Sequence, residues 1–146
     1  MERIAFDSGV RSFQIQDGGV LRFNPSDPNV YGRFLEAAEK IKALEDGLTQ
    51  QAKAAQEDES GSAVVQLMVS ADRQIKQILG WVFGPENDFD KILGGVNLLA
   101  VADNGQQVIA NLLGALEPVL VAGAQRFARE KVDQAVQKAK ERRGTV

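Results

Sequence analysis

Two long segments of the chain carry apolar residues at the spacing of an α-helix. In the first, the steps between apolar positions from Val30 to Leu48 are 4, 3, 4, 3 and 4 residues, and the same steps recur from Val64 to Val82. This spacing places one apolar stripe on one face of each helix. We therefore predict one helix over about 28–55 and a second between a cap at Ser62 and Gly84, packed as an antiparallel helical hairpin across the polar, acidic loop 57–62.

Capping and breaking residues mark the ends of these two helices. Asp27 is a good N-cap, and Pro28 follows it at the first helical position, where proline is tolerated. Ser62 is the expected cap of the second helix, and Gly84-Pro85 ends that helix. The ends of the first two helices are therefore predicted from capping and helix-breaking residues as well as from periodicity.

The rest of the helical region is predicted in shorter pieces. A capped helical turn over 89–93 stops at Gly94-Gly95, and another short helical piece is expected within 97–104. A helix resumes from Gln106, and Pro118 should kink or split it, because proline has no backbone N–H to donate. Few large apolar residues follow position 125, so we expect the last two turns to fray or to wait for a partner. The side chains that could pack there are Phe127, Val132 and Val136.

Residues 3–23 alternate apolar and polar side chains in three short runs, separated by Asp- and Gly-containing turns at 7–9 and 17–19. Such runs predict a β-hairpin or a small meander, which is too short to be stable unless it packs on the helices. The predicted fold is thus mainly α: a helical bundle or hairpin with a small N-terminal β-hairpin or meander. We expect one domain over 1–146, with a helical region over 28–143.

The chain has neither cysteine nor histidine, which excludes thiol nucleophiles, zinc ribbons and every catalytic arrangement built on an imidazole. Paired acids at Asp88 and Asp90 and in the run 57–59 stand in loop or cap contexts rather than at metal-ligand spacing. The glycine pairs lack the pattern of a phosphate-binding loop. We therefore expect no enzymatic activity, no cofactor and no metal.

The formal net charge is -3, yet residues 126–143 hold seven Lys or Arg against three acids, a local balance of +4. A solvated helix with cations near its C-terminal end explains this basic segment, and a contact with phosphate or an acidic partner is the alternative. Because the whole chain is acidic, we do not expect nucleic-acid binding. We also expect no transmembrane helix and no signal peptide, and hence a soluble cytoplasmic protein.

Large apolar residues cluster around the only tryptophan, at the predicted corner after the second helix. Aromatic residues at helix corners usually belong to the core, and the alternative is a partner-binding surface. The candidate residues of this corner are Trp81, Phe83, Phe89, Ile92 and Leu93. The long stripes also suit self-association as a coiled coil, although each covers only about three heptads.

The order of elements resembles the small helical tail assembly chaperones of long-tailed bacteriophages, especially those infecting Gram-positive hosts. The order is a short β segment, two long helices and then more helix. The local sequence that carries the resemblance is Val82-Phe83-Gly84, followed by residues 90–95 with their apolar pair and Gly-Gly, and then by Asn97. The resemblance implies a non-catalytic protein that binds the tape-measure protein and recruits tail tube subunits. The alternatives are a structural virion component or other homo-oligomer, and a nucleic-acid-associated regulator that uses the basic C-terminal helix.

Overall fold

The structure is a computed structural model, and it describes residues 1–144. These residues form two strands and four α-helices, which confirms a mainly α fold with a small N-terminal β-hairpin. The elements are β1 (Arg11–Gln14), β2 (Val20–Phe23), α1 (Pro28–Ala54), α2 (Ser62–Phe83), α3 (Phe89–Ile92) and α4 (Val108–Gly144). A single turn of 3₁₀-helix, Ala55–Glu57, follows α1.

The two long helices pack as the predicted antiparallel hairpin. Asp27 caps α1, since its Oδ1 accepts the N–H of Asn29 at 2.9 Å. Near the start of α1, Arg33 Nε donates to the carbonyl of Val82 at the end of α2 (3.0 Å), so the helices run in opposite directions. The apolar stripes of both helices face each other and form the centre of the core, where Ile75 is fully buried.

The start of α2 differs from the prediction. Gly61, in the left-handed conformation at φ 73°, occupies the N-cap position instead of Ser62. The Asp58 carboxylate caps the helix from outside, because its Oδ2 accepts the N–H of Ala63 at 3.0 Å while Oδ1 accepts from Ser60. Hydrogen bonds from Ser60 and Ala63 hold the pKa of Asp58 below its ordinary value.

The β segment is a hairpin and not a meander. β1 and β2 are antiparallel, with Phe13 opposite Leu21, so alternate side chains of both strands face the helices. The first of the three predicted runs, around Ile4 and Phe6, is not a strand, and both side chains are exposed. A strand requires a neighbouring edge to pair with, and no described strand lies beside this run.

The predicted short helix within 97–104 is absent. Val101 instead forms an isolated bridge with Gln107 around a turn at Gly105 (φ 82°). The N–H of Leu98 donates to the Asp72 carboxylate of α2 at 2.8 Å, a bond that fixes this loop from another element. The backbone N–H of Leu98 therefore has its hydrogen-bond partner in the Asp72 carboxylate of another element rather than in a local helix.

The last helix is continuous. α4 runs through Pro118 without being split, and it stays helical to Gly144, so its final described turns are not frayed. At 1.5 Å per residue, its 37 residues extend over roughly 55 Å. Its first half crosses the loop before α1 so closely that a Cβ on Gly123 would lie 1.7 Å from the carbonyl oxygen of Pro25.

α4 bears on the expectation that no segment spans a membrane. An 18-residue window within it has a mean hydropathy of 1.5, so by length and composition alone this helix could cross a membrane. A mostly buried core helix of a soluble protein passes the same test, whereas 22% of this window is buried. Here Ile109, Leu116 and Leu120 are buried against the hairpin and the other helices.

Candidate protein-interaction site

The structure divides the predicted aromatic corner into buried and exposed parts. Phe83 and Phe89 are buried, with ring centroids 5.7 Å apart, and Phe83 also meets Phe23 of β2 edge-on at 4.8 Å. Ile92 is buried as well. These three side chains hold the hairpin against α2 and α3, so they are not accessible to a partner in this fold.

Trp81 and Leu93 are the accessible members of the corner. Trp81 is 44% exposed, and the ammonium of Lys40 lies 4.5 Å from the centroid of its ring. Such a cation–π contact at an exposed site contributes about 0.5–1 kcal/mol. Leu93 is partly buried and lines a groove described below. Trp81 is thus an exposed aromatic surface rather than part of the core.

A buried lysine fixes the corner from beneath. Lys76 Nζ donates to Asp72 (2.8 Å), to Asp90 of α3 (2.6 Å) and to the carbonyl of Val96 (2.9 Å). Burial tends to lower the pKa of Lys76, but the bonds to the two carboxylates outweigh it, so this pKa lies above its ordinary value. All three ammonium protons have acceptors, which identifies the group as structural.

Asn87 joins the corner to the hairpin. Its side chain accepts the N–H of Arg22 and donates to the carbonyl of Arg22, both at 2.9 Å, as a neighbouring strand would. The same amide donates to the carbonyl of Phe83 at 2.9 Å. The hairpin is therefore held at a fixed position on the end of α2.

An apolar groove opens between the hairpin and α4. It encloses about 660 Å³, with Gln14 and Gln16 of the hairpin among its lining residues. The hairpin and the segment after α3 form one wall, and the first half of α4 forms the other. The apolar side chains that line it include Phe13, Ile15, Leu93, Val108, Leu112 and Val119.

The second half of α4 leaves the body of the protein. Every residue from 125 to 144 is exposed, including the three side chains that could have packed, Phe127 (36%), Val132 (61%) and Val136 (47%). Apolar residues recur on this helix at steps of 3, 4, 4, 3 and 4 and form a continuous narrow stripe. The stripe, called the α4 stripe below, consists of Val121, Ala124, Ala128, Val132, Ala135 and Ala139.

Basic side chains surround the exposed part of α4. Arg126 pairs with Glu130 at 3.5 Å, and Lys131 Nζ lies 5.8 Å from the ring centroid of Phe127. The ion pair and the cation–π contact both lie on the surface, where such contacts contribute little to stability. The excess positive charge of this segment is thus presented to solvent along a projecting helix.

The described residues present several accessible apolar surfaces but no cluster of potential metal ligands. Within 1–144 there is no group of three or more His, Cys, Asp or Glu side chains that could hold a metal ion. Comparison of the chain with protein-family models, curated proteins and solved structures gives no match. The accessible apolar features of residues 1–144 include the α4 stripe, the apolar groove, the face of Trp81 and the exposed side chains of Ile4 and Phe6.

Proposed function

We propose that this chain is a non-catalytic assembly chaperone that binds the tape-measure and tail tube proteins of a long-tailed bacteriophage. The observation that supports this proposal is the exposed second half of α4, a helical segment with the α4 stripe along it. A long helical client offers the matching surface, since amphipathic helices bind through apolar residues at such spacing.

The α4 stripe suits a helical partner for two reasons. Its alanines allow two helix axes to approach closely, while Val132 provides a larger apolar contact. Most of the stability of a helix in a protein comes from packing of its apolar face, so a partner helix along the stripe stabilises this exposed segment further. The local excess of positive charge then favours an acidic segment of the client.

Trp81 provides a second contact in this proposal. Replacing Trp81 with Ala removes an exposed aromatic face, so binding of the client should weaken more than the melting temperature falls. A melting temperature that falls strongly while binding of the client changes little would assign Trp81 to the core instead.

The experiment is capture of the tagged chain from its native host, with identification of the bound proteins by mass spectrometry. A long helical tape-measure protein and tube subunits are expected. Val132→Glu places a charge in the α4 stripe and should reduce capture at least about tenfold. Gln134→Glu is the matched control, because it adds the same charge on the opposite side of the helix.

Circular dichroism of both variants must show unchanged helicity for the comparison to hold. Equal capture by Val132→Glu and Gln134→Glu would remove the α4 stripe from the proposal. Recovery of the chain alone would count against the chaperone function altogether and favour a structural oligomer.

The exposed basic residues of α4 support a second candidate, a regulator that binds nucleic acid. Binding would then fall steeply as salt rises, and deletion of residues 126–146 would abolish it. Absence of DNA or RNA binding at low salt would exclude this candidate.

A further inference from the structure

The hairpin has two outer edges, and residues 1–144 occupy only one of them. At the outer edge of β2, Arg22 bonds to the side chain of Asn87, and Gly19 N–H donates to the carbonyl of Ile92 at 3.3 Å. Arg22 therefore directs its backbone groups away from β1. In an antiparallel ladder the residue paired with Arg22 is Ser12, and its backbone N–H and C=O point away from β2. Those of Gln14, two residues further along β1, point the same way as those of Ser12.

The outer edge of β1 is consequently open within the described residues. No described group bonds to the backbone N–H of Ser12 or of Gln14, and both residues are exposed. An unpaired edge of this kind is a template for one more strand.

The apolar groove lies beside this open edge. Phe13 on the inner face of β1 and Ile15 just after the strand are partly buried, and both line the groove together with Leu112 and Val119 of α4. A strand added to β1 would direct every second side chain into the groove. The edge and the groove together thus select an extended segment with apolar residues at alternate positions.

The chain itself contains such a segment in residues 1–10, called the arm below. Ile4 and Phe6 alternate with Arg3 and Ala5, and they are 90% and 81% exposed. Residues 1–6 make no hydrogen bond to the described body of the protein. Covering such exposed apolar side chains with another protein surface is favourable, because it removes their apolar area from water.

We propose that the arm of one copy of this chain binds as an added strand at the outer edge of β1 in a second copy. Ile4 and Phe6 enter the second copy's apolar groove, and Ala5 lies on the solvent side beside Ser12 or Gln14. Exchange of both arms gives a two-fold symmetric dimer in which each copy contributes the same two surfaces.

The position of residues 8 and 9, where the arm joins the body, favours binding of the arm to a second copy rather than to the β1 edge of its own chain. Asn24, which follows β2, donates to the carbonyl of Ser8 at 3.0 Å, and Gly9 (φ 75°) packs directly on the same side chain. Residues 8 and 9 are thereby held on the β2 side of the hairpin. The outer edge of β1 faces the other way, so the arm is directed away from its own groove.

The size of the arm is sufficient for a stable interface. At the mean residue mass of this 15.8 kDa chain, the six extended residues 1–6 expose roughly 940 Å². If about half of that surface is covered, along with an equal area of the groove, one arm buries roughly 940 Å². Reciprocal exchange of two arms buries roughly 1,900 Å², which lies within the range of a standard interface.

The first test is the mass of the full chain in solution, measured by analytical ultracentrifugation over a concentration series. The expected species is a dimer of the 15.8 kDa chain. Ile4→Asp with Phe6→Asp should raise the dimer dissociation constant about 100-fold or more, because both side chains lose their apolar contact. Ala5→Asp is the matched control, since position 5 stays on the solvent side, and it should leave the dimer intact.

Ser12→Pro tests the strand edge separately. It removes an N–H that points away from β2, so the hairpin keeps its own bonds while strand addition is blocked. The variant should be monomeric with unchanged far-ultraviolet circular dichroism. Monomeric parent protein, or a dimer unaffected by the arm variants, would overturn the proposal.

Cysteine cross-linking separates exchange from an arm that folds back on its own chain. The chain has no native cysteine, so Ala5→Cys and Ser12→Cys can each be introduced alone. Mixing the two single variants under mild oxidation should give a disulfide-linked heterodimer. If only the double variant cross-links, and does so within one chain, the arm binds its own β1 and the proposal fails. Client capture does not affect this result, because it tests residues of α4.

Discussion

At the scale of single residues, Asn87 makes the clearest contribution to stability. Replacing it with Ala leaves the backbone N–H and C=O of Arg22 and the carbonyl of Phe83 without their partner. Since an unpaired buried polar group costs about 1–3 kcal/mol, the free energy of unfolding should fall by about 3 kcal/mol. Urea denaturation followed by circular dichroism measures this loss.

Two further variants sharpen this prediction. Asn87→Asp should be more destabilising than Asn87→Ala, because a buried carboxylate oxygen would then face two carbonyl oxygens. Asn104→Ala is the control: its amide bonds to Asn111 and accepts the N–H of Gln106, but all these bonds are exposed and water can replace them, so the loss should cost less than about 0.5 kcal/mol. Similar losses for Asn87→Ala and Asn104→Ala would contradict the role given to Asn87.

The sequence predicts the aromatic corner better than the polar groups that fix it. It groups Trp81 with Phe83 and Phe89, but it cannot show that Phe23 of a distant strand covers Phe83 and leaves Trp81 exposed. For Lys76 a signal does exist. Asp72 and Lys76 are four residues apart on a face that continues with apolar residues, which is an unusual place for a charged pair.

At the scale of elements, the crossing of α4 over the loop before α1 depends on one glycine. Gly123→Ala would bring a Cβ to 1.7 Å from the carbonyl oxygen of Pro25, so the helix must shift. Overpacking of this kind costs about 1–3 kcal/mol and outweighs the roughly 1 kcal/mol that alanine adds to a helix. We therefore expect a net loss of about 1 kcal/mol or more in the free energy of unfolding.

Gly47→Ala is the matched control for this substitution. Gly47 lies inside α1 with no atom within 4 Å of an added Cβ, so alanine should stabilise the protein by roughly 0.5–1 kcal/mol. The two variants make the same chemical change in two helices and should have opposite signs in urea denaturation. A gain in stability for Gly123→Ala would show that the close crossing does not constrain α4.

Elements that follow from local chemistry were predicted, and elements that depend on distant partners were not. The stripes of α1 and α2 and the Asp27 cap of α1 are local, so the prediction of these two helices agrees with the structure, whereas the predicted Ser62 cap of α2 is wrong. The segment 97–104 was expected to be helical because it is apolar, yet the Asp72 carboxylate and the Val101–Gln107 bridge fix it as a loop. The run around Ile4 alternates as a strand does, but alternation cannot supply the edge that a strand needs.

At the scale of the whole molecule, a well-packed body carries two extensions. The core joins the hairpin, all four helices and the loop before α4, and its buried polar groups are paired within the described residues. The arm and the second half of α4 extend from that body with apolar side chains exposed. Both extensions leave the body beside the loop before α1, where Asn24 bonds to Ser8 and Pro25 lies against Gly123.

The pH dependence of stability should reflect the groups that α2 and its neighbours hold. The bond from Lys76 and its charge lower the pKa of Asp90, and hydrogen bonds from Ser60 and Ala63 lower that of Asp58. Both carboxylates therefore contribute stability above about pH 3.9, and this contribution is lost as pH falls through their folded values. The raised pKa of Lys76 acts oppositely: its contribution is complete below about pH 10.4 and is lost as pH rises through the folded value.

Urea denaturation across the pH range should thus show the highest stability between these two limits. Burial and the neighbouring Asp46 raise the pKa of Glu45, which favours its protonated form and offsets part of the acid loss. Asp58→Asn should flatten only the acid side of the profile, because Asp58 has no contact with Lys76. Asp90→Asn should flatten both sides, since it removes a titrating carboxylate and one of the partners that raise the pKa of Lys76. If Asp90→Asn changes the acid side alone, Asp72 by itself accounts for the raised lysine pKa, and the link from α2 to α3 contributes nothing to alkaline stability.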